Sequence, residues 1–77
     1  MNTTDANKLR YYIADRKKTL TEFRNALGIS HSALHRKLNG ETEFTRKEIH
    51  KTVIFLSLSD SEVMEVFFNP NFIREDI

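Results

Sequence analysis

Apolar residues along this chain recur at helical spacing, and strand-like alternation is absent. Leu9, Tyr12 and Ile13 fall at i, i+3 and i+4, which predicts a first helix over residues 6–17 with one buried face. Thr19 followed by Glu22 has the capping-box spacing, and Leu20, Phe23 and Leu27 line one face of a short second helix that Gly28 stops. Ile29 re-enters the core. Ser30 caps a third helix running to Leu38, where Asn39-Gly40 supplies left-handed residues that end helices. Thr45 with Glu48 repeats the capping box, Phe44 stands where a hydrophobic staple would, and Ile49, Val53 and Leu56 form a fourth apolar face. Ser59 with Glu62 opens a fifth helix carrying Val63, Met64 and Phe67. Asn69-Pro70-Asn71 then breaks the pattern, because proline disfavours helix in the residue before it. The expected fold is all-α, a compact bundle of about five short helices over residues 6–68, after a flexible N-terminus at 1–5 and before a C-terminal tail at 69–77.

Composition narrows the function classes. A chain of 77 residues has room for one small domain and none for a sizeable catalytic cavity. Without cysteine there is no disulfide framework, thiolate metal site or cysteine nucleophile, and a cytoplasmic setting is the default expectation. Apolar runs such as Val53-Ile54-Phe55-Leu56 stop far short of the roughly 20 residues that span a bilayer, and the N-terminus lacks an apolar signal region. No membrane association is expected. Nothing resembles a phosphate-cradling glycine loop or an activated nucleophile, so an enzyme is not expected.

The net charge is only +1, yet it is unevenly spread. From Ala6 to Lys51 eleven Lys/Arg oppose five Asp/Glu, a net +6, whereas from Thr52 onward Arg74 alone opposes five acids, a net −4. The balance suggests a polyanion-facing surface on the first two thirds of the chain, with a plain solvated surface as the alternative.

Residues 19–40, TLTEFRNALGISHSALHRKLNG, resemble the helix-turn-helix of the Cro/C1-type phage repressor family. Thr19, Phe23, Leu27, Gly28, Ile29, Ser30, Leu34 and Asn39-Gly40 carry the resemblance, and the flanking helices extend it over residues 6–68. It implies a lambda-repressor-like bundle in which helices 2 and 3 form the motif and helix 3 enters the major groove of operator DNA. At about 100° per residue, the buried direction of helix 3 lies between Ser30, Leu34 and Leu38, so Ser32 and Arg36 point away from it, flanked by His35 and Ala33.

These four residues, with His31 near the helix start, are the expected base contacts. Arg36 leads, because a guanidinium grips guanine O6/N7 with two hydrogen bonds; Ser and His donate or accept, and Ala33 suits a thymine methyl. Lys17, Lys18, Lys37, Arg46 and Lys47 are candidate phosphate contacts, which position without reading sequence. His31 and His35, at i and i+4, are only half of a metal site with no acid or cysteine arranged beside them, so neither metal nor other cofactor is expected.

Two positions depart from the family pattern. The residue after the cap is often a phosphate-contacting glutamine and here is Leu20; the small residue after the apolar position is usually alanine and here is Arg24. An exposed Leu20 beside Arg24 suits a protein surface. With the acidic last third, this pair gives a weaker resemblance to the modulator-of-repression antirepressors of temperate lactococcal-type phages. Two functions are therefore expected: a small phage or mobile-element transcription regulator in a lysis/lysogeny-type switch, acting on double-stranded operator DNA as a homodimer, or an antirepressor that binds a phage repressor and blocks its DNA binding. Leu20, Arg24, Phe68, Phe72 and Ile73 are the candidate protein-partner surface, the aromatic residues being either core or interface.

Overall fold

The computed structural model describes residues 3–69, which form five helices: α1 (Ala6–Asp15), α2 (Leu20–Leu27), α3 (His31–Leu38), α4 (Arg46–Leu56) and α5 (Asp60–Phe67). No strand occurs among the described residues. All three capping boxes form. At α2 the Glu22 backbone N–H donates to Thr19 Oγ1 at 3.1 Å and the Thr19 N–H donates back to Glu22 Oε1 at 2.9 Å; Thr45/Glu48 and Ser59/Glu62 repeat this at α4 and α5. Each cap satisfies donors that would otherwise be orphaned and contributes about 1 kcal/mol.

Packing centres on α2, which lies against α4 and bridges to α1 and α3, while α1 also packs on α5. Leu9, Phe23, Leu56 and Val66 are fully buried, joined by Ile13, Leu27, Leu34, Leu38 and Phe67. Phe44 is also buried, its ring 6.4 Å from that of Phe23 and 5.4 Å from that of Phe67, so the expected staple position is part of the main core. Arg16 ties the elements together: its Nη2 donates to both oxygens of Glu62 at 2.8 Å and its Nε to the Leu56 carbonyl at 3.1 Å.

Several expectations change. Helix α1 ends at Asp15 rather than at residue 17, because Lys17 adopts a left-handed conformation (φ 59°) and Lys18 N–H bonds back to the Ile13 carbonyl at 2.9 Å. That reversal aims the chain at Thr19 so that it can cap α2. Residues 3–5 of the segment expected to be flexible are tied down: Asp5 caps α1, its N–H donates to the Val66 carbonyl at 2.7 Å, and Thr3 Oγ1 donates to the Phe67 carbonyl at 2.7 Å. At the end of α3 only Gly40 is left-handed (φ 82°), Asn39 keeping helical geometry. On α4 the fully buried positions are Thr52 and Leu56, with Ile49 and Val53 half-buried; Thr52 enters the core because its hydroxyl donates to the Glu48 carbonyl at 2.8 Å. On α5 Val66 and Phe67 are buried while Met64 is 53 % exposed.

Candidate nucleic-acid interface

The α2–α3 connection is a three-residue turn. Gly28 is left-handed (φ 71°, ψ 33°), and its N–H reaches the carbonyls of Arg24 (2.9 Å) and Asn25 (3.2 Å). A Cβ built on Gly28 meets nothing within 4 Å, so glycine is required there by backbone geometry and not by space. Ile29 packs against the core, and Ser30 Oγ accepts from the Ala33 N–H at 3.1 Å to start α3. Leu34 and Leu38, at 2 % and 3 % exposure, anchor α3 along one side.

The opposite side of α3 is open. His31, Ser32, His35 and Arg36 are exposed and Ala33 is half-buried, so the structure brings all five expected base-contact residues onto one short helix. The two imidazoles stack edge to face with centroids 4.3 Å apart. Arg36 has no ion-pair partner among the described residues. Its guanidinium is available to an incoming acceptor. No group of three or more His, Cys, Asp or Glu among the described residues is placed to hold a metal ion.

The expected phosphate contacts do not form one set. Lys17 is exposed just before α2, Lys18 lies with its ammonium 5.3 Å from the centre of the Phe55 ring, and Arg46 and Lys47 are exposed in the first turn of α4. Lys37 differs from all of them. Its Nζ sits 3.0 Å from Glu48 Oε1 and donates to the Glu43 carbonyl at 3.1 Å, and both charged side chains are largely buried. It holds α3 to the start of α4 and is already committed, unlike a phosphate-seeking surface lysine. Burial pushes the Glu48 carboxyl up, but the Thr45 backbone N–H and the Lys37 ammonium outweigh it and leave the group below its ordinary value. Because Glu48 shares the first turn of α4 with Arg46 and Lys47, the pair also sets where those two cations stand relative to α3.

The expected protein surface is revised in part. Leu20 is not an exposed knob: it is half-buried against the core, since the first turn of α2 faces the first turns of α3. Together with Thr21, Arg24, His31, Leu34 and His35 it lines a small open cleft of about 40 Å³ between α2 and α3. Arg24 is half-buried there, its Nη1 donating to the Ile29 carbonyl at 3.3 Å. Phe68 is 47 % exposed, as are Ile54 (66 %) and Tyr11 (58 %) to a greater degree. Phe72 and Ile73 lie outside the described residues.

Sequence reasoning missed the Glu48 anchor and the cleft. Both depend on contacts between helices, and nothing in local spacing announces that residue 48 meets residue 37 or that Thr21 and His35 face one opening. None of the described helices is long and apolar enough to cross a membrane.

Residues 2–70 match the family described as "Protein of unknown function (DUF739)". No curated protein and no solved structure matches the chain.

Proposed function

We propose that this chain, which belongs to the DUF739 family of proteins of unknown function, is a small phage or mobile-element transcription regulator that binds operator DNA through a helix-turn-helix formed by α2 and α3, acting in the cytoplasm of its bacterial host. The observation that carries the reading is the free face of α3. His31, Ser32, His35 and Arg36 are exposed opposite the Leu34/Leu38 anchor, and Arg36 has no ion-pair partner among the described residues. A B-DNA major groove, about 12 Å wide, admits one helix and presents guanine O6/N7 as the acceptor pair a guanidinium fits. Lys17, Lys18, Arg46 and Lys47 then supply sequence-independent attraction to phosphates. Eight residues rise only about 12 Å, enough to read a few base pairs, so a homodimer on half-sites about 34 Å apart completes the operator. The mechanism is binding alone, with no catalytic step and no cofactor.

A second reading, an antirepressor that occupies a phage repressor and blocks its DNA binding, is favoured by Ile54, Met64 and Phe68, exposed on or at the end of α4 and α5. One anisotropy titration separates the two. The protein is titrated against intergenic DNA beside its own gene and against an unrelated duplex, with and without the neighbouring repressor. The regulator reading expects tight, salt-sensitive preference for the intergenic duplex, and Arg36→Ala erases that preference by about 1–3 kcal/mol while leaving the thermal melt in place. Absence of DNA binding together with release of the repressor from its operator overturns it in favour of the antirepressor.

A further inference from the structure

Asn39 and Gly40 close α3, and the proposed DNA contacts make no use of their chemistry. The chain has six asparagines, at positions 2, 7, 25, 39, 69 and 71, and Asn39 alone is followed by glycine. Glycine has no Cβ to crowd its amide nitrogen, whereas Thr3, Lys8, Ala26 and Phe72 each carry one and Pro70 has no N–H at all. Asn39 is exposed, and Gly40 is left-handed at φ 82°. An attack of the Gly40 nitrogen on Asn39 Cγ needs Cβ, Cα, the carbonyl carbon and that nitrogen near one plane, and a ψ of −3° at Asn39 holds them far from it. The same N–H is engaged with the Lys37 carbonyl at 3.2 Å. Reaction between the two residues therefore waits on opening of the last turn, and a helix end is where local opening costs least.

We propose that Asn39 is a site of spontaneous deamidation gated by fraying of the end of α3, and that its isoaspartyl product loosens α3 from α4. When the turn opens, the Gly40 amide nitrogen gives its proton to hydroxide and attacks Asn39 Cγ; the N–Cγ bond forms, the Cγ–Nδ2 bond breaks, and ammonia leaves with a proton from water. Water then opens the cyclic imide. Opening at Cγ restores the ordinary backbone with an aspartate at position 39, and opening at the original carbonyl carbon routes the chain through Cβ as an isoaspartate. No oxidant, reductant or cofactor takes part. The isoaspartate adds one backbone atom to a turn that is bonded on both sides: the Asn39 N–H reaches the His35 carbonyl at 2.9 Å and the Glu41 N–H the Arg36 carbonyl at 2.9 Å. Further on, the Glu43 carbonyl accepts from Lys37 Nζ at 3.1 Å, so the added atom displaces one of the groups that hold the Lys37–Glu48 pair. His35 and Arg36 then stand exposed on a helix whose end has lost part of its anchor. This consequence is the same whatever the open face of α3 binds.

The test incubates the full chain beside a synthetic peptide of residues 36–43, at neutral and at mildly alkaline pH, and follows intact mass, peptide maps and isoaspartate content. Product is expected at Asn39 and not at the other asparagines, with isoaspartate exceeding aspartate and conversion faster at the higher pH. The folded chain should convert more slowly than the peptide by about ten- to a hundredfold, the range of a fraying helix end. Lys37→Met, which removes the anchor without touching either reacting residue, is expected to speed conversion about three- to tenfold, and Asn39→Gln to stop it. The separated isoaspartyl chain should melt about 5–10 °C below the parent, and Asn39→Asp, which carries the charge on an ordinary backbone, should show less than half that shift. An intact Asn39 by the time the peptide has fully converted overturns the site. Conversion as fast as in the peptide, or unchanged by Lys37→Met, overturns the gating by α3, and an isoaspartyl chain that melts with the parent overturns the loosening.

Discussion

Lys37 offers a quantitative test of how α3 is held. Its ammonium sits 3.0 Å from Glu48 Oε1 and 3.1 Å from the Glu43 carbonyl, with side-chain exposures of 11 % for the lysine and 14 % for the glutamate. The Lys37→Met variant keeps the length of the stem over the Phe44 ring, which the ammonium approaches to 5.7 Å from the centroid, and removes only the charge and its donors. Glu48 is then left largely buried with the Thr45 N–H, at 2.9 Å, still donating to its carboxylate. Breaking a fully buried pair costs about 3–5 kcal/mol and losing one charged hydrogen bond about 1.5–3, so the residual exposure here places the loss at about 2–3 kcal/mol. For a domain of this size that lowers Tm by roughly 10–20 °C. Adding Glu48→Gln removes the orphaned charge and preserves the capping box, since glutamine serves at that position, so the double variant should recover about 1 kcal/mol of the loss. Differential scanning calorimetry on the parent, both single variants and the double variant measures this. Under the proposed DNA-binding function, the salt slope of binding gives an independent readout and should stay within about 0.3 of the parent, because Lys37 is engaged inside the fold. A Lys37→Met variant that melts with the parent and loses about 0.9 of slope would refute the reasoning and return Lys37 to the phosphate contacts.

Two further predictions follow from the same geometry. Gly28→Ala places a Cβ in open space at φ 71°, so its cost is backbone strain alone, about 1 kcal/mol or roughly 4–8 °C in Tm, and a loss above about 3 kcal/mol would show that the turn is also sterically closed. Glu48 and Glu62 both sit below the ordinary carboxylate value of 4.5 in the folded chain, Glu62 through the Ser59 backbone N–H and then Arg16. A depressed folded-state pKa contributes stability that is present above 4.5 and is lost as pH falls through the lower folded-state values. Thermal melts between pH 6 and 2.5 should therefore fall most steeply below pH 4.5, less so in Glu48→Gln; an identical acid profile in that variant would contradict the assignment for Glu48.

The helix starts were legible in the sequence because capping is local chemistry: a hydroxyl and a carboxylate three residues apart satisfy each other wherever the chain goes next. All three boxes form as read, and the turn at Gly28 follows from the same short-range logic. Burial is a different matter. Periodicity identified Leu9, Phe23 and Leu34, but on α4 and α5 it promoted Val53 and Met64 over Thr52 and Val66, because which flank of a helix faces inward is set by its neighbours. The sharpest case is the pair of departures from the family pattern. As isolated letters, Leu20 and Arg24 suggested an exposed apolar knob and a misplaced charge. In the fold the first turn of α2 meets α3, so Leu20 is half-buried and Arg24 is steadied by the Ile29 carbonyl at the edge of a shared cleft. Two substitutions that separately weaken the resemblance thus combine into one recess with an apolar floor and a cationic rim.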